Sequence, residues 1–247
     1  MLELTTAQWI TLIAVAVLIG FAKTGIQGAG VLIAPIMATI LPAKQSTGVV
    51  LPMLILADGL AIVYWRRHVD WRHLVRLLPW TWCGVVIGFL CLGRISDRQL
   101  KPLIGTLVFV LLVLSWVREN GLKDDRLPRH WLFAAVMGLL AGSTSMMANA
   151  AGAVMALYLM AMRMPKNEFI GTQAWFFCIL NLSKLPFSSR LGLISVPSLL
   201  TNLTVLPCIV AGGILGVLLV HRIPQRTFDL VVKALAAAAA VYLCLPL

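Results

Sequence analysis

Acidic side chains are scarce in this chain: nine Asp and Glu stand against 20 Lys and Arg in 247 residues, and charged residues together make up only 12% of it. Long polar stretches are scarce too. The longest runs from Arg118 to His130, which leaves no room for a soluble catalytic domain. Apolar residues fill the rest, at 60% of the chain with mean hydropathy +0.95, a balance foreign to soluble domains of this size. Segments long enough to cross a bilayer, which takes about 20 residues, follow one another almost from end to end. The expected fold is all-α, a polytopic membrane protein built as one integral unit.

Other absences narrow the function. The five cysteines (Cys83, Cys91, Cys178, Cys208 and Cys244) lie inside apolar segments without paired spacing. They read as packing residues rather than a disulfide frame or a metal site. No Walker A loop, nucleophile elbow or His/Glu/Cys metal spacing occurs, so no metal or cofactor is expected, an ATP-driven pump would need a second chain, and a membrane-embedded enzyme lacks its acid, base or metal set. His68, His73, His130 and His221 sit in loops beside basic residues and read as surface histidines. The net charge of +11 lies in short loops next to apolar spans. There it sets topology and meets the headgroups of membrane lipids, and nucleic acid is not an expected partner. Glu3 and the missing basic n-region argue against a cleaved signal peptide.

What is present is a pattern that occurs twice. Two long apolar stretches, Trp9 to Leu41 and Trp131 to Met162, each contain a break rich in small residues: Lys23-Thr24-Gly25-Ile26-Gln27-Gly28-Ala29-Gly30, and Ser143-Thr144-Ser145-Met146-Met147-Ala148-Asn149-Ala150-Ala151-Gly152. At a shift of 122, Trp9 meets Trp131, Gly20 meets Gly142, Gln27 meets Asn149 and Gly30 meets Gly152. At 123, Pro42 meets Pro165, Gly48 meets Gly171 and Asp58 meets Asn181. At 128, Pro79, Gly84, Gly88 and Arg94-Ile95 meet Pro207, Gly212, Gly216 and Arg222-Ile223. The collinear order points to a duplication: a first repeat at 1–117, a cytoplasmic linker at 118–130 and a second repeat at 131–247. Each repeat is read as a broken segment and three unbroken spans, at about 46–65, 75–93 and 99–117, then 167–187, 196–220 and 227–245.

As a continuous helix, residues 6 to 41 would run near 54 Å at 1.5 Å per residue, against a hydrocarbon core of about 30 Å. The segment must fold back, either as a re-entrant hairpin or as two short spans. Loop charge chooses between these. If each broken segment starts and ends on one side, one face collects Arg66, Arg67, Arg72, Arg76, Arg118, Lys123, Arg126, Arg129, Arg163, Lys166, Arg222 and Arg226, and the other only Lys44, Arg94, Arg98, Lys101 and Arg190. If each crossed once, the same residues would divide almost evenly. The positive-inside rule selects the hairpin. Both termini then lie outside the cytoplasm, and an odd number of crossings per half inserts the second copy upside down, giving two inverted repeats. Trp9, Trp65, Trp71, Trp116 and Trp131 at span ends read as an interfacial belt.

Two helix breaks at matching places expose backbone amides, which lipid does not tolerate unless they face a ligand or other protein. Gly25, Gly28 and Gly30 let N–H groups approach a ligand closely, and the helices restarting after Gly30 and Gly152 turn their positive ends inward, suited to an anion. The duller alternative is close helix packing by small residues. Gln27 and Asn149 add a polar side chain to each break. Asp58 sits mid-span, where a carboxylate costs about 2.5–3.5 kcal/mol unless paired or protonated. Its repeat mate Asn181 is expected to face it across the centre. Lys184 lies three residues beyond Asn181 on the same helical face, placed to pair with Asp58, with substrate, or with each in turn. Lys23 either lines the site or snorkels. Gln45, Ser46, Thr47 and Gly171, Thr172, Gln173 at equivalent span starts either line the pathway or cap helices. The candidate substrate-binding set is Lys23, Gly25, Gln27, Gly28, Gly30, Asn149, Gly152, Gln173, Asn181 and Lys184, with Asp58 the proton-coupling candidate.

At these residues the chain resembles the sulfite exporter TauE/SafE family of membrane permeases. The resemblance is carried by Gly25-Ile26-Gln27-Gly28-Ala29-Gly30 with Pro35 downstream, and by Gly171-Thr172-Gln173, Asn181-Leu182-Ser183-Lys184-Leu185-Pro186 and Gly192. It spans the whole chain, including the basic loop Arg66-Arg67-His68-Val69-Asp70-Trp71-Arg72. The second break departs from it, with Met146-Met147-Ala148-Asn149-Ala150-Ala151-Gly152 where the family has a glycine cluster. The resemblance implies passage of sulfite, a sulfonate such as sulfoacetate, or a related organic anion across a bacterial inner membrane. The residues by themselves indicate a secondary carrier for a small anion that works by rocking its two halves, with export favoured. A homo-oligomer, a proton- or sodium-coupled uptake carrier and a non-transporting membrane assembly factor stay open as alternatives.

Overall fold

The computed structural model describes residues 2–25, 30, 32–96, 98–99, 106, 131–162 and 164–219. The expected third span of each half, the linker 118–130, Trp116 and Cys244 lie outside the described residues. Among the described residues all regular structure is helical: α1 Thr6–Thr24, α2 Ile33–Ile40, α3 Ala43–Trp65, α4 Trp71–Arg94, α5 Trp131–Ala148, α6 Ala151–Ala161, α7 Lys166–Arg190 and α8 Val196–Leu219. Of these, α1, α3, α4, α5 and α8 are long and apolar enough to cross a membrane.

Local chemistry sets the boundaries. Thr5 and Gln8 form a capping box at the start of α1, satisfying amides that have no helical partner. Pro42 and Pro165 immediately precede α3 and α7. The Asp70 carboxylate caps α4 by accepting from the Arg72 and His73 amides and meets His73 Nδ1 at 2.9 Å. Partial burial pushes the Asp70 carboxyl upward, but the hydrogen bonds from the His73 ring and backbone outweigh it and hold the group below the usual carboxylate range.

Both broken segments double back. Gln8 Nε2 at the start of α1 donates to Ile40 O at the end of α2 (2.9 Å), and the Phe133 and Tyr158 rings stack at 5.8 Å between the start of α5 and the far part of α6. The central pair α3 and α7 runs antiparallel: Gly48 abuts Leu193, just past α7, while Gly171 abuts Trp65 and His68, where α3 ends. Asp58 lies fifteen residues after Ala43 and Asn181 fifteen after Lys166, so each stands about 22 Å along its helix, and the two meet there. The molecule is inside-out relative to a soluble protein. Ile10, Val63, Val196, Leu203 and Leu218 are 60–75% exposed, while Asp58, Asn181 and Lys184 are at most 1% exposed. Cys83 and Cys91 also face outward, so these two are not core packing residues.

Glycine sets the contact between the halves, and the contacts are reciprocal. A Cβ at Gly20 would strike the backbone of Ile209 and Gly213; at Gly142 it would strike Thr81 and Val85. Gly84 abuts Leu139, as Gly212 abuts Val17. Gly88 abuts Ser143 and Met146, as Gly216 abuts Phe21 and Thr24. Each pair is related by the shifts of 122 and 128 found in the sequence, so α1 grips α8 the way α5 grips α4. Such close approach is how membrane helices gain dispersion energy without a hydrophobic drive. Gly142→Ala and Gly212→Ala should each cost about 1–3 kcal/mol by overpacking, read as a lowered unfolding midpoint in detergent. Gly59→Ala, where an added Cβ meets nothing within 4 Å, should leave the midpoint unchanged or raise it.

Candidate functional site

The last turn of α1 carries Lys23, and its position is fixed from two sides. Trp65 Nε1 donates to Thr24 O (3.1 Å) and Thr24 Oγ1 donates to Gly213 O (2.7 Å). Trp65 is therefore a buried brace, 4% exposed, and not part of an interfacial belt; Trp71 and Trp131 are outward-facing. From this end Lys23 Nζ reaches Asp58 Oδ1 at 2.7 Å and lies 3.9 Å from the Phe177 ring centroid, an ion pair reinforced by a cation–π contact.

Asp58 is completed from the other half. Asn181 Nδ2 donates to its Oδ2 (2.6 Å), and Asn181 Oδ1 accepts from Lys184 Nζ (3.1 Å). The repeat mates thus do meet across the centre. The partner of Asp58 differs from the one favoured by spacing: Lys23 makes the direct pair, and Lys184 reaches the carboxylate only through the Asn181 amide. Helix spacing put Lys184 beside Asn181, but only the packing of α1 on α3 could bring in Lys23.

Lys184 instead holds the second break. Its ammonium donates to Ser145 O (3.0 Å), Ser145 Oγ (2.9 Å) and Asn149 Oδ1 (2.7 Å) as well as to Asn181. Four neutral oxygens surround a group with three hydrogens. Asn149 also turns the chain. It adopts φ +52°, and its own backbone amide donates back to Ser145 O (2.9 Å), the closure of a helix whose C′ residue is left-handed. Glycine is the usual occupant there, and asparagine is the side-chain-bearing residue best tolerated. Here its amide then takes Lys184 on one side and donates to Thr47 O (3.1 Å) on the other.

Beside this chain of polar contacts lies an internal cavity lined by Ala22, Lys23, Gly30, Ile33, Leu54, Ser145, Asn149, Gly152, Ala174, Phe177 and Asn181. Mostly apolar walls with a few convergent polar groups are the usual makeup of a small-ligand site. Of the expected site residues, Lys23, Gly30, Asn149, Gly152 and Asn181 line it; Asp58 and Lys184 sit behind its wall. Gly25 does not line it. Its amide closes α1 on Phe21 O, and its Cα packs on Gly216, so close helix packing accounts for this glycine. Gln27 and Gly28 lie outside the described residues. Gln173 is fully buried on α7, and among the described residues neither its Oε1 nor its Nε2 has a partner. Ser46 and Thr47 bond the local carbonyls of Ala43 and Lys44, and Thr172 Oγ1 accepts from the Asp70 amide; these three do not line the cavity.

Ser145 and Phe177 were not singled out by the sequence, although Phe177 stands four residues before Asn181, one helical turn along the same face. The family model described as Sulfite exporter TauE/SafE matches residues 12–243, nearly the whole chain. Neither a curated protein nor a solved structure matches it.

Lys184→Met keeps the bulk but strands the side-chain oxygens of Asn149 and Asn181; about 1–3 kcal/mol per stranded group should appear as a marked fall in the unfolding midpoint. Asn149→Gly should be the milder replacement at its position and Asn149→Ala the harsher, by about 1 kcal/mol, because only glycine accepts the left-handed backbone freely.

Proposed function

The chain belongs to the sulfite exporter TauE/SafE family of membrane transporters, and from that premise we propose that it exports a small anion by alternating access. The substrate is sulfite, a sulfonate such as sulfoacetate, or a related organic anion, and the membrane is the bacterial inner membrane. One observation carries this reading: a lysine-bearing cavity lies between two doubled-back helices, level with the Asp58–Asn181 contact about 22 Å from the start of α3 and of α7. Two antiparallel helices meeting at that depth span about 45 Å, the thickness of a bilayer with its headgroups. The site is then at mid-depth, both broken segments are re-entrant, and the two repeats (1–117 and 131–247) are inverted about an axis in the membrane plane. Loop charge puts the linker 118–130 in the cytoplasm and both termini in the periplasm.

Lys23, Asn149 and Asn181 line the site and would contact the anion, beside the backbone at Gly30 and Gly152. Lys184 acts from behind, holding Ser145 and Asn149 in place and adding positive potential. The rocking bodies are the glycine-clasped pairs, α1 with α8 and α4 with α5, which move about the central α3 and α7. With the inside negative, each exported negative charge gains about 2.3 kcal/mol per 100 mV, enough to sustain roughly a 40-fold gradient at 1.4 kcal/mol per decade. Export of a monoanion therefore needs no coupling ion, whereas uptake would require one, with Asp58 its proton acceptor. A cation carrier is disfavoured, because both Asp58 oxygens are engaged, by Lys23 and by Asn181.

In liposomes holding the purified protein, an imposed potential should drive an anion current selective within a panel of sulfite, sulfonates and carboxylates. Lys23→Gln should reduce it at least about tenfold. No current with any anion would sink the proposal.

A further inference from the structure

Building on the anion-carrier reading, we propose that Asp58 is a resident counter-anion: in the empty site its carboxylate occupies Lys23, and the transported anion binds by taking that lysine from it.

Charge makes the first part of the case. Among the described residues, the side chains that carry charge at the centre are Lys23, Lys184 and Asp58, a sum of +1. Ile26, Gln27, Gly28, Ala29 and Val31, next in sequence and outside the described residues, bear no charge. The second part is availability. The Lys184 ammonium is enclosed by four neutral oxygens, is 1% exposed and does not line the cavity. Lys23 does line it and keeps 14% of its side chain exposed. An anion in the cavity therefore meets Lys23, and meets it already paired. Asp58 is fixed, fully buried on α3 and held at its second oxygen by Asn181, whereas Lys23 hangs on a four-carbon stem and can turn away from it. Exchange of partners is then a side-chain rotation.

Two consequences define the substrate by charge. A monoanion brings the centre to neutrality with no change in protonation. A dianion leaves one uncompensated negative charge in a low-dielectric interior, which a proton taken from water onto the freed Asp58 oxygen removes, leaving a neutral acid still bonded to Asn181. The groups facing Asp58 are Lys23 from α1 and Asn181, Lys184 and the Cys178 thiol from α7; among the described residues no second carboxylate is there to take that proton. In the empty carrier Lys23 is paired with Asp58 and the Lys184 ammonium is enclosed by neutral oxygens, so it can reorient unloaded, which suits uniport better than obligatory exchange.

The test is calorimetric binding to the purified full chain, wild type and Asp58→Asn, in two buffers of different protonation enthalpy. Methanesulfonate serves as the fixed monoanion and sulfoacetate as the dianion. Wild type should bind methanesulfonate without proton uptake and sulfoacetate with about one proton, the sulfoacetate affinity rising about tenfold per unit fall in pH. Asp58→Asn should bind methanesulfonate about tenfold more tightly and sulfoacetate with no proton. Unchanged or weaker methanesulfonate binding by Asp58→Asn, alongside normal wild-type binding, overturns the counter-anion role and leaves the carrier reading standing. Absence of binding by wild type, with sulfite as with both probes, overturns the carrier reading and this inference together. Should Asp58→Asn fold only when methanesulfonate is present, the anion is taking the carboxylate's place, as proposed. Failure to fold even with saturating methanesulfonate counts against it.

Discussion

A buried ammonium requires oxygen on every side, and where water cannot follow, the protein must supply it. Lys184 finds its oxygens in three places: the last turn of α5, the Asn149 amide, and Asn181 one turn earlier on its own helix. Much of the local architecture follows from that requirement. The second helix break must carry an amide rather than a bare glycine, so Asn149 both turns the chain and faces the lysine. Asn181, having given its oxygen to Lys184, has its nitrogen left to donate, and Asp58 receives it. The other oxygen of Asp58 then needs a cation, which α1 delivers as Lys23. One polar run thus ties α1, α3, α7 and the α5–α6 turn together at the level where the cavity lies.

The glycine contacts work on a longer scale. They bring backbone against backbone along α1 with α8 and along α4 with α5. The polar centre lies between them, on α3 and α7. The two kinds of contact are thus separated in space: close backbone packing lies at the periphery, and side-chain hydrogen bonds occupy the middle.

Much of the fold was legible in the sequence because a membrane leaves few alternatives. Long apolar runs must be helices, and runs too long for the bilayer must fold back. Helix starts came out late, α4 at Trp71 rather than near 75, because Arg72 and His73 in its first turn look like loop to a hydropathy reading. Periodicity shows which residues share a face, so Asp58 opposite Asn181, and Lys184 beside it, were within reach. Which lysine the carboxylate chooses depends on how α1 packs on α3, and no spacing within either segment encodes that. The role of Asn149 was hidden for a different reason: a left-handed residue is recognised by its glycine, and here the signal was an asparagine. Gly25 misled in the opposite sense, since a glycine opened toward a ligand and one pressed on Gly216 look identical in a sequence.

The reciprocal glycine grooves make each helix of a pair incomplete without the other. The surface of α1 that receives Gly212 and Gly216 is filled by α8, and the surface of α5 that receives Gly84 and Gly88 is filled by α4. Separated from its partner, each helix would present a bare strip of backbone to its surroundings, so neither pair can be parted without losing its closest packing.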